Sequence, residues 1–333
     1  MPVKTMKYLS IIIPVYNVAQ YLPKCLDSVI YPGTEGYEII AVNDGSTDAS
    51  PEILEGYRRR YPQLLRIITK ENGGLGSARN AALEPAEGEF LYFLDSDDYL
   101  AENAVKEILD ACQTENFDIC FFDSQTVNED GKILEEMPGF HTEGSFRMED
   151  DPDILLFRTN AFNKVFRRSL FLDNNIRFRD REWYEDVSCI PKLYAEAGTM
   201  YYRRRMTYNY LMRPGSIMNN RNLQRNTEII SAYTATITYY CEKGIFAKYH
   251  EQLEYVCFYN ILIAATVRVN LIDPNTEIQN RFLEFFTKEF PDYRKNRYFL
   301  AAPKKYRLLD FLITHRMHHA VHFLMSFNDK VRH

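Results

Sequence analysis

The 333-residue chain carries 40 Lys and Arg against 46 Asp and Glu, a formal net charge of -6. That length allows one large core plus an accessory region, and the acidic balance argues against nucleic acid as a general partner. Six cysteines, Cys25, Cys112, Cys120, Cys189, Cys241 and Cys257, are scattered without metal-type pairs, so reduced thiols in the cytoplasm are their simplest reading.

In chain order, residues 9–17 read as a strand ending in a Pro-polar turn, so near the start that no leader peptide is expected. A helical pattern follows over 19–30. Residues 38–42 form a second strand, closed by an acceptor-rich turn over 43–48, and 51–60 a helix with Pro in its first turn. A third strand over 65–68 precedes the glycine-rich turn 72–76, which opens a helix carrying Ser77, Arg79 and Asn80. The apolar run 90–94 then leads directly into Asp95, Asp97 and Asp98. Strands alternating with helices predict βαβ units and a parallel sheet whose polar strand ends gather on one edge.

The chemistry of that edge narrows what it binds. Clustered carboxylates repel one another and raise their own pKa values, so a hard cation, Mn²⁺ or Mg²⁺, is the economical explanation; a helix N-cap is the structural alternative. A glycine-rich helix start favours anions, and Arg79 adds a fixed positive fork. A nucleotide diphosphate satisfies all three features. A dinucleotide fingerprint does not fit, because Arg79 stands where its third glycine belongs and the turn follows the third strand; a P-loop sequence is absent.

The segments SIIIPVYN at 10–17, VNDGSTD at 42–48, NGG at 72–74 with ARN at 78–80, and LDSDD at 94–98 resemble, in that order, the family-2 glycosyltransferases of GT-A fold. The resemblance covers roughly residues 7–220. It implies an α/β, Rossmann-like, mostly parallel sheet with helices on both faces, and an inverting transferase using a nucleotide-sugar donor and a divalent metal. By this likeness Pro14, Tyr16, Asn17 and Asp44 hold the base and ribose, while Asn72, Gly73, Gly74 and Arg79 lie at the nucleotide. Asp95, Ser96 and Asp97 form the Asp-X-Asp stretch, with Asp95 and Asp97 as metal ligands and Asp98 able to share that role.

Further along, residues 163–171 followed by Trp183-Tyr184-Glu185-Asp186-Val187 resemble the acceptor half of polysaccharide-type members, whose corresponding Asp is the catalytic base. The base is therefore expected at Asp186. Adjacent residues on a helix diverge by about a quarter turn, so Glu185 and Asp186 are not expected to face the donor together. Residues 201–211 read as a strand leading into an Arg-x-Gly-Ser-Ile-like stretch common in the family. There Arg213 and Ser216 are expected as donors on a loop over the diphosphate, with a plain Pro-Gly turn as the alternative.

From about residue 221 the pattern becomes helical, with candidates at 226–241, 249–271, 277–290 and 306–327. The domain division expected is thus 1–220, with a nucleotide-sugar half over 7–125 and an acceptor half over 126–220, then a helical region over 221–333. The most apolar stretch, 261–272, is interrupted by Arg268 and Asn270 and reads as too short to span a bilayer. Residues 301–333 carry Lys304, Lys305, Arg307, Arg316, Lys330 and Arg332 against Asp310 and Asp329. Leu308, Phe311, Leu312, Val321, Leu324 and Met325 supply an apolar face, so this segment docks on the inner membrane surface or packs on its own domain. His315, His318, His319 and His322 share one helical face, at a spacing open to zinc or to simple exposure.

Three functions follow. The leading one is a cytoplasmic transferase building surface polysaccharide or glycolipid, from a nucleotide sugar to a glycan or lipid-linked acceptor. A sugar-nucleotide pyrophosphorylase and a catalytically inactive nucleotide-sugar-binding subunit are the alternatives. The segment between about residues 123 and 162 offers no readable pattern.

Overall fold

The computed structural model describes residues 7–31, 33–213 and 222–332, with side chains to residue 326; Ser216 lies outside the described residues. The chain divides into two units, Met1–Met218 and Asn219–His333.

In the first unit β1 (Leu9–Val15), α1 (Leu22–Val29), β2 (Tyr37–Asn43), α2 (Ser50–Arg60), β3 (Leu65–Thr69), α3 (Leu75–Leu83) and β4 (Phe90–Phe93) alternate as expected. There follow β5 (Tyr99–Leu100), α4 (Ala104–Thr114), β6 (Ile119–Val127), β7 (Ile133–Met137), β8 (Gly144–Phe146), β9 (Lys164–Arg167), α5 (Arg168–Asp173), α6 (Glu185–Glu196) and β10 (Met200–Leu211). These strands make one sheet in the order β3-β2-β1-β4-β9-β6-β10-β5, with β7 beside β6 and β8 beside β10. β3, β2, β1, β4, β6 and β10 run one way, and β9, β5, β7 and β8 run against them.

Every residue of β1, β2 and β4 is buried, as strands covered on both faces require. Leu9, Ile11 and Ile13 share a cluster with Leu26 of α1, Leu54 of α2 and Ile108 of α4. The alternate residues Ile12, Ile40 and Val42 face the other side of the sheet, and α3 packs against β1 and β2. Each such buried aliphatic side chain stabilises the fold by about 1.5–3 kcal/mol. Pro14 is tolerated in a central strand because β4 pairs with β1 only from Leu9 to Ile12, leaving no ladder bond on that side for Pro14 to break.

The second unit contains α7 (Glu228–Glu242), α8 (Phe246–Cys257), a π-helical segment (Phe258–Ala265), α9 (Thr266–Ile272), α10 (Ile278–Glu289), α11 (Arg297–Ala301), α12 (Lys304–Thr314) and α13 (His318–Arg332). Two expectations need correction here. The span Phe246–Ile272 is one continuous helix of 27 residues, long and apolar enough to cross a bilayer, because the π-helical turns carry it through. Cys257, Phe258, Ile261, Leu262 and Val269 are nevertheless buried inside the unit, together with Gln252, Glu254 and Asn270, which marks it as the unit's core helix. The single helix expected over 306–327 is instead two, broken at Arg316, whose φ of +56° is left-handed. The four histidines therefore do not share a face: His315 lies beyond α12 against the Phe311 carbonyl, while His322 meets the Asn270 carbonyl at 2.8 Å. Among the described residues no three His, Cys or acidic groups converge on a metal position.

Candidate active site

The carboxyl ends of β1, β2 and β4 and the start of α3 meet at one edge of the sheet. Asn17 leaves β1 with φ +52°, its side-chain oxygen accepting the Thr47 N–H at 2.8 Å and its own N–H reaching Ser46. Tyr16 is half exposed beside it, whereas Pro14 is buried within the strand. After β2, the Asp44 carboxylate accepts the N–H groups of Gly73 and Gly74 at 3.0 and 2.8 Å and the Lys70 ammonium at 2.7 Å. Asn72 donates to the Asp44 carbonyl. The second and third motifs are thus one hydrogen-bonded unit, and Asp44 shapes the glycine-rich turn that opens α3.

Gly74 has φ +86°, a left-handed conformation that costs glycine little. Gly76 is needed for another reason: a Cβ there would lie 2.2 Å from the Arg179 carbonyl oxygen. Segment 178–181 therefore lies directly on α3, where Asn80 both donates to the Phe178 carbonyl and accepts its N–H, and the Arg181 N–H bonds the Gly73 carbonyl. This clamp delivers the start of α6 to the sheet edge.

At the junction sits Arg79, 1% exposed. It donates to Asp95 at 2.9 Å, to Glu185 at 3.0 Å and to Asp186 at 2.6 Å. Burial alone would lower its pKa, but Asp186, Asp95 and Glu185 together raise it above its ordinary value. The expectation that Glu185 and Asp186 diverge is corrected: both reach the same guanidinium nitrogen. They occupy the first turn of α6, after Tyr184 in a left-handed conformation, and the longer Glu side chain closes the angular gap. Asp186 also accepts the Ala161 N–H at 2.9 Å. Burial raises the pKa of Glu185 to about 7, Asp186 adding to it, and burial raises Asp186 as well against the pull of Arg79.

The aspartates after β4 separate by role. Asp95 bonds Arg79, Asp97 bonds Arg213 through both Nε and a terminal nitrogen, at 2.8 and 2.7 Å, and Ser96 is buried between them. Asp98 turns into the sheet, where it accepts the Tyr208 hydroxyl at 2.6 Å and the Leu211 N–H at 2.7 Å. Burial raises the pKa values of Asp97 and Asp98, and their neighbouring aspartates raise them further. Four carboxylates here face two guanidiniums, and the side chains of Asp95 and Asp97 keep 22% and 25% of their surface in solvent. Hard oxygen ligands, excess negative charge and partial exposure suit a divalent cation that takes one or two protein carboxylates and completes its shell with phosphate and water.

Three participants lay outside the sequence expectation: Glu185 as a partner of Arg79, the Ala161 N–H, and Tyr208, which links Asp98 to the Asp95 N–H. A strand tyrosine opposite an acidic turn was the available signal for Tyr208. A backbone donor such as Ala161 leaves none.

The family model for glycosyl transferase family 2 matches residues 10–188. Glycosyltransferase GlyA of Streptococcus pneumoniae is 31% identical over 265 residues, covering 74% of this chain and 37% of its own. The poly(ribitol-phosphate) beta-N-acetylglucosaminyltransferase TarS of Staphylococcus aureus is 30% identical over 197 residues, 56% of this chain and 32% of its own. The chain thus spans about a third of the length of these two relatives. The crystal structure of TarS 1–349 with UDP superposes with a TM-score of 0.62 at 21% identity, over 86% of this chain and 89% of that one. The mannosyltransferase PcManGT of Pyrobaculum calidifontis, in complex with GDP-Man and Mn²⁺, superposes at 0.54 with 15% identity, over 97% and 88%.

Proposed function

Because the chain belongs to glycosyl transferase family 2, we propose that it is an inverting glycosyltransferase moving a sugar from a nucleotide-diphosphate sugar, with UDP as the nucleotide, to a hydroxyl of a glycan or lipid-linked acceptor in surface polysaccharide or glycolipid synthesis. The UDP bound to the staphylococcal neighbour and the poly(ribitol-phosphate) in its name support the donor and acceptor classes. The observation that carries the reading is the shared guanidinium: Asp95 and Asp186, from opposite halves of the unit, bond one buried Arg79.

Asp186 is the general base. Its two oxygens are oriented by Arg79 and the Ala161 N–H, which leaves lone pairs to receive the proton of an acceptor hydroxyl as that hydroxyl attacks the anomeric carbon. Such a single displacement inverts the anomeric centre. Asp95 and Asp97 would hold Mn²⁺ or Mg²⁺, which supplies charge neutralisation to the departing diphosphate. Asn17, Asp44 and the 72–74 turn bound the nucleotide side, and Arg213 brings a second guanidinium to the diphosphate side. The six free cysteines, five of them buried, fit a reducing compartment and support a cytoplasmic location.

Asp186→Asn tests the base. Turnover, followed as UDP release, should fall by roughly 10²–10⁴-fold, while UDP affinity by calorimetry stays within a few-fold. Loss of UDP binding with turnover per bound donor retained would make Asp186 a structural group.

A further inference from the structure

Helix α12 is amphipathic in an unusual sense, because the face it leaves in solvent is both apolar and cationic. Leu309, Asp310 and Ile313 are buried on one side. At 100° per residue, Lys304, Arg307, Leu308 and Phe311 fall within one stripe on the other side. Leu308 and Phe311 are 48% and 51% exposed, and Leu300, just before the helix on α11, is 59% exposed. Lys304 and Arg307 stand among them and Lys305 on their flank, all three exposed. Among the described residues none of these three has an ion pair, although Lys305 lies over the Tyr306 ring. The one carboxylate of the helix, Asp310, is turned inward and accepts from Tyr293 at 2.6 Å and Arg294 at 3.1 Å. The stripe therefore presents uncompensated positive charge around protruding apolar side chains.

We propose that this stripe is a docking surface for an anionic phospholipid bilayer. Leu300, Leu308 and Phe311 enter the headgroup–acyl boundary while Lys304, Lys305 and Arg307 meet the phosphates. Both components are required by the pattern: apolar area alone serves any hydrophobic partner, and charge alone any acidic one, but together on one exposed helical face they match a charged interface. The inference deepens the reading of a lipid-linked acceptor, which sits in such a bilayer, and rests on that reading only in this respect. Of the basic C-terminal expectation it takes up the α12 part; on α13 Val321 is buried while Phe323 stays 73% exposed.

The test is sedimentation of the full chain with vesicles of phosphatidylcholine containing phosphatidylglycerol, against vesicles of phosphatidylcholine alone. Binding is expected only to the anionic vesicles and should weaken with added salt. The triple change K304E/K305E/R307E should reduce partitioning by about a hundredfold, and L308S/F311S by about tenfold or more. All five positions are exposed, so the melting temperature of each variant should match the parent, which keeps misfolding from imitating the result. Equal binding to neutral vesicles, unaltered binding by the charge-reversed variant, or capture of an acidic protein without vesicle binding would each overturn the proposal. Because neither donor nor turnover enters the readout, its failure is separable from failure of the transferase assignment.

Discussion

Lys164 shows how one buried side chain sets the geometry of another. It is 3% exposed, and its ammonium donates to the Asn160 carbonyl at 2.9 Å and the Asn163 side-chain oxygen at 3.0 Å. Between those residues lies Ala161, whose N–H fixes Asp186. Burial lowers the Lys164 pKa to about 7, with Asp186 pulling the other way, so the ammonium is fully charged only on the acid side of neutrality. Lys164→Met should relax the 160–163 turn and lower kcat by about ten- to a hundredfold, the scale of a lost charged hydrogen bond, with little change in donor KM. The kcat–pH profile should also lose a limb near the Lys164 pKa. An unchanged profile with uniformly lower activity would assign Lys164 to folding alone.

At the scale of elements, the turn–helix junction around α3 depends on close backbone approach. A methyl at Gly76 would overlap the Arg179 carbonyl, and the far atom is backbone, so the 178–181 segment must move away. Gly76→Ala should cost about 1–3 kcal/mol of stability and draw Asp186 from Arg79, seen as a lower chemical-denaturation midpoint together with a reduced kcat. A variant as stable and active as the parent would show that the clamp is dispensable. The same region shows what was legible beforehand. Strands β1 to β4 were readable because each is an apolar run closed by a polar turn, and their motifs lie where parallel topology puts them. The hub on Arg79 was not, since its partners Asp95 and Glu185 stand 16 and 106 residues away, and local pattern carries no such pairing. Nor was the inward turn of Asp98, which depends on a tyrosine of β10. The break after α12 falls at Thr314-His315-Arg316-Met317, where neither Gly nor Pro marks it, whereas the helix expected over 249–271 is present and extends, through π-helical turns, over Phe246–Ile272.

For the molecule as a whole, burial of the acidic site sets how stability responds to pH. Burial raises Glu185 to about 7 and also raises Asp186, Asp97 and Asp98. A carboxyl whose folded pKa exceeds its unfolded value contributes stability that is complete below the unfolded pKa, about 4, and is lost as pH rises through the folded pKa. For Glu185 that loss is finished near neutrality. Lys164 acts oppositely and later: with its folded pKa near 7 and its unfolded pKa near 10, the unfolded chain binds more protons between those limits, and stability rises across them. In metal-free buffer the melting temperature should therefore fall from about pH 5 to about pH 7 and level or recover above it. Glu185→Gln keeps an amide oxygen for Arg79 but cannot ionise, so it should flatten the fall over that interval in differential scanning fluorimetry. If the variant declines as steeply as the parent, Glu185 is not carrying the proton, and the pH dependence belongs to the aspartates alone.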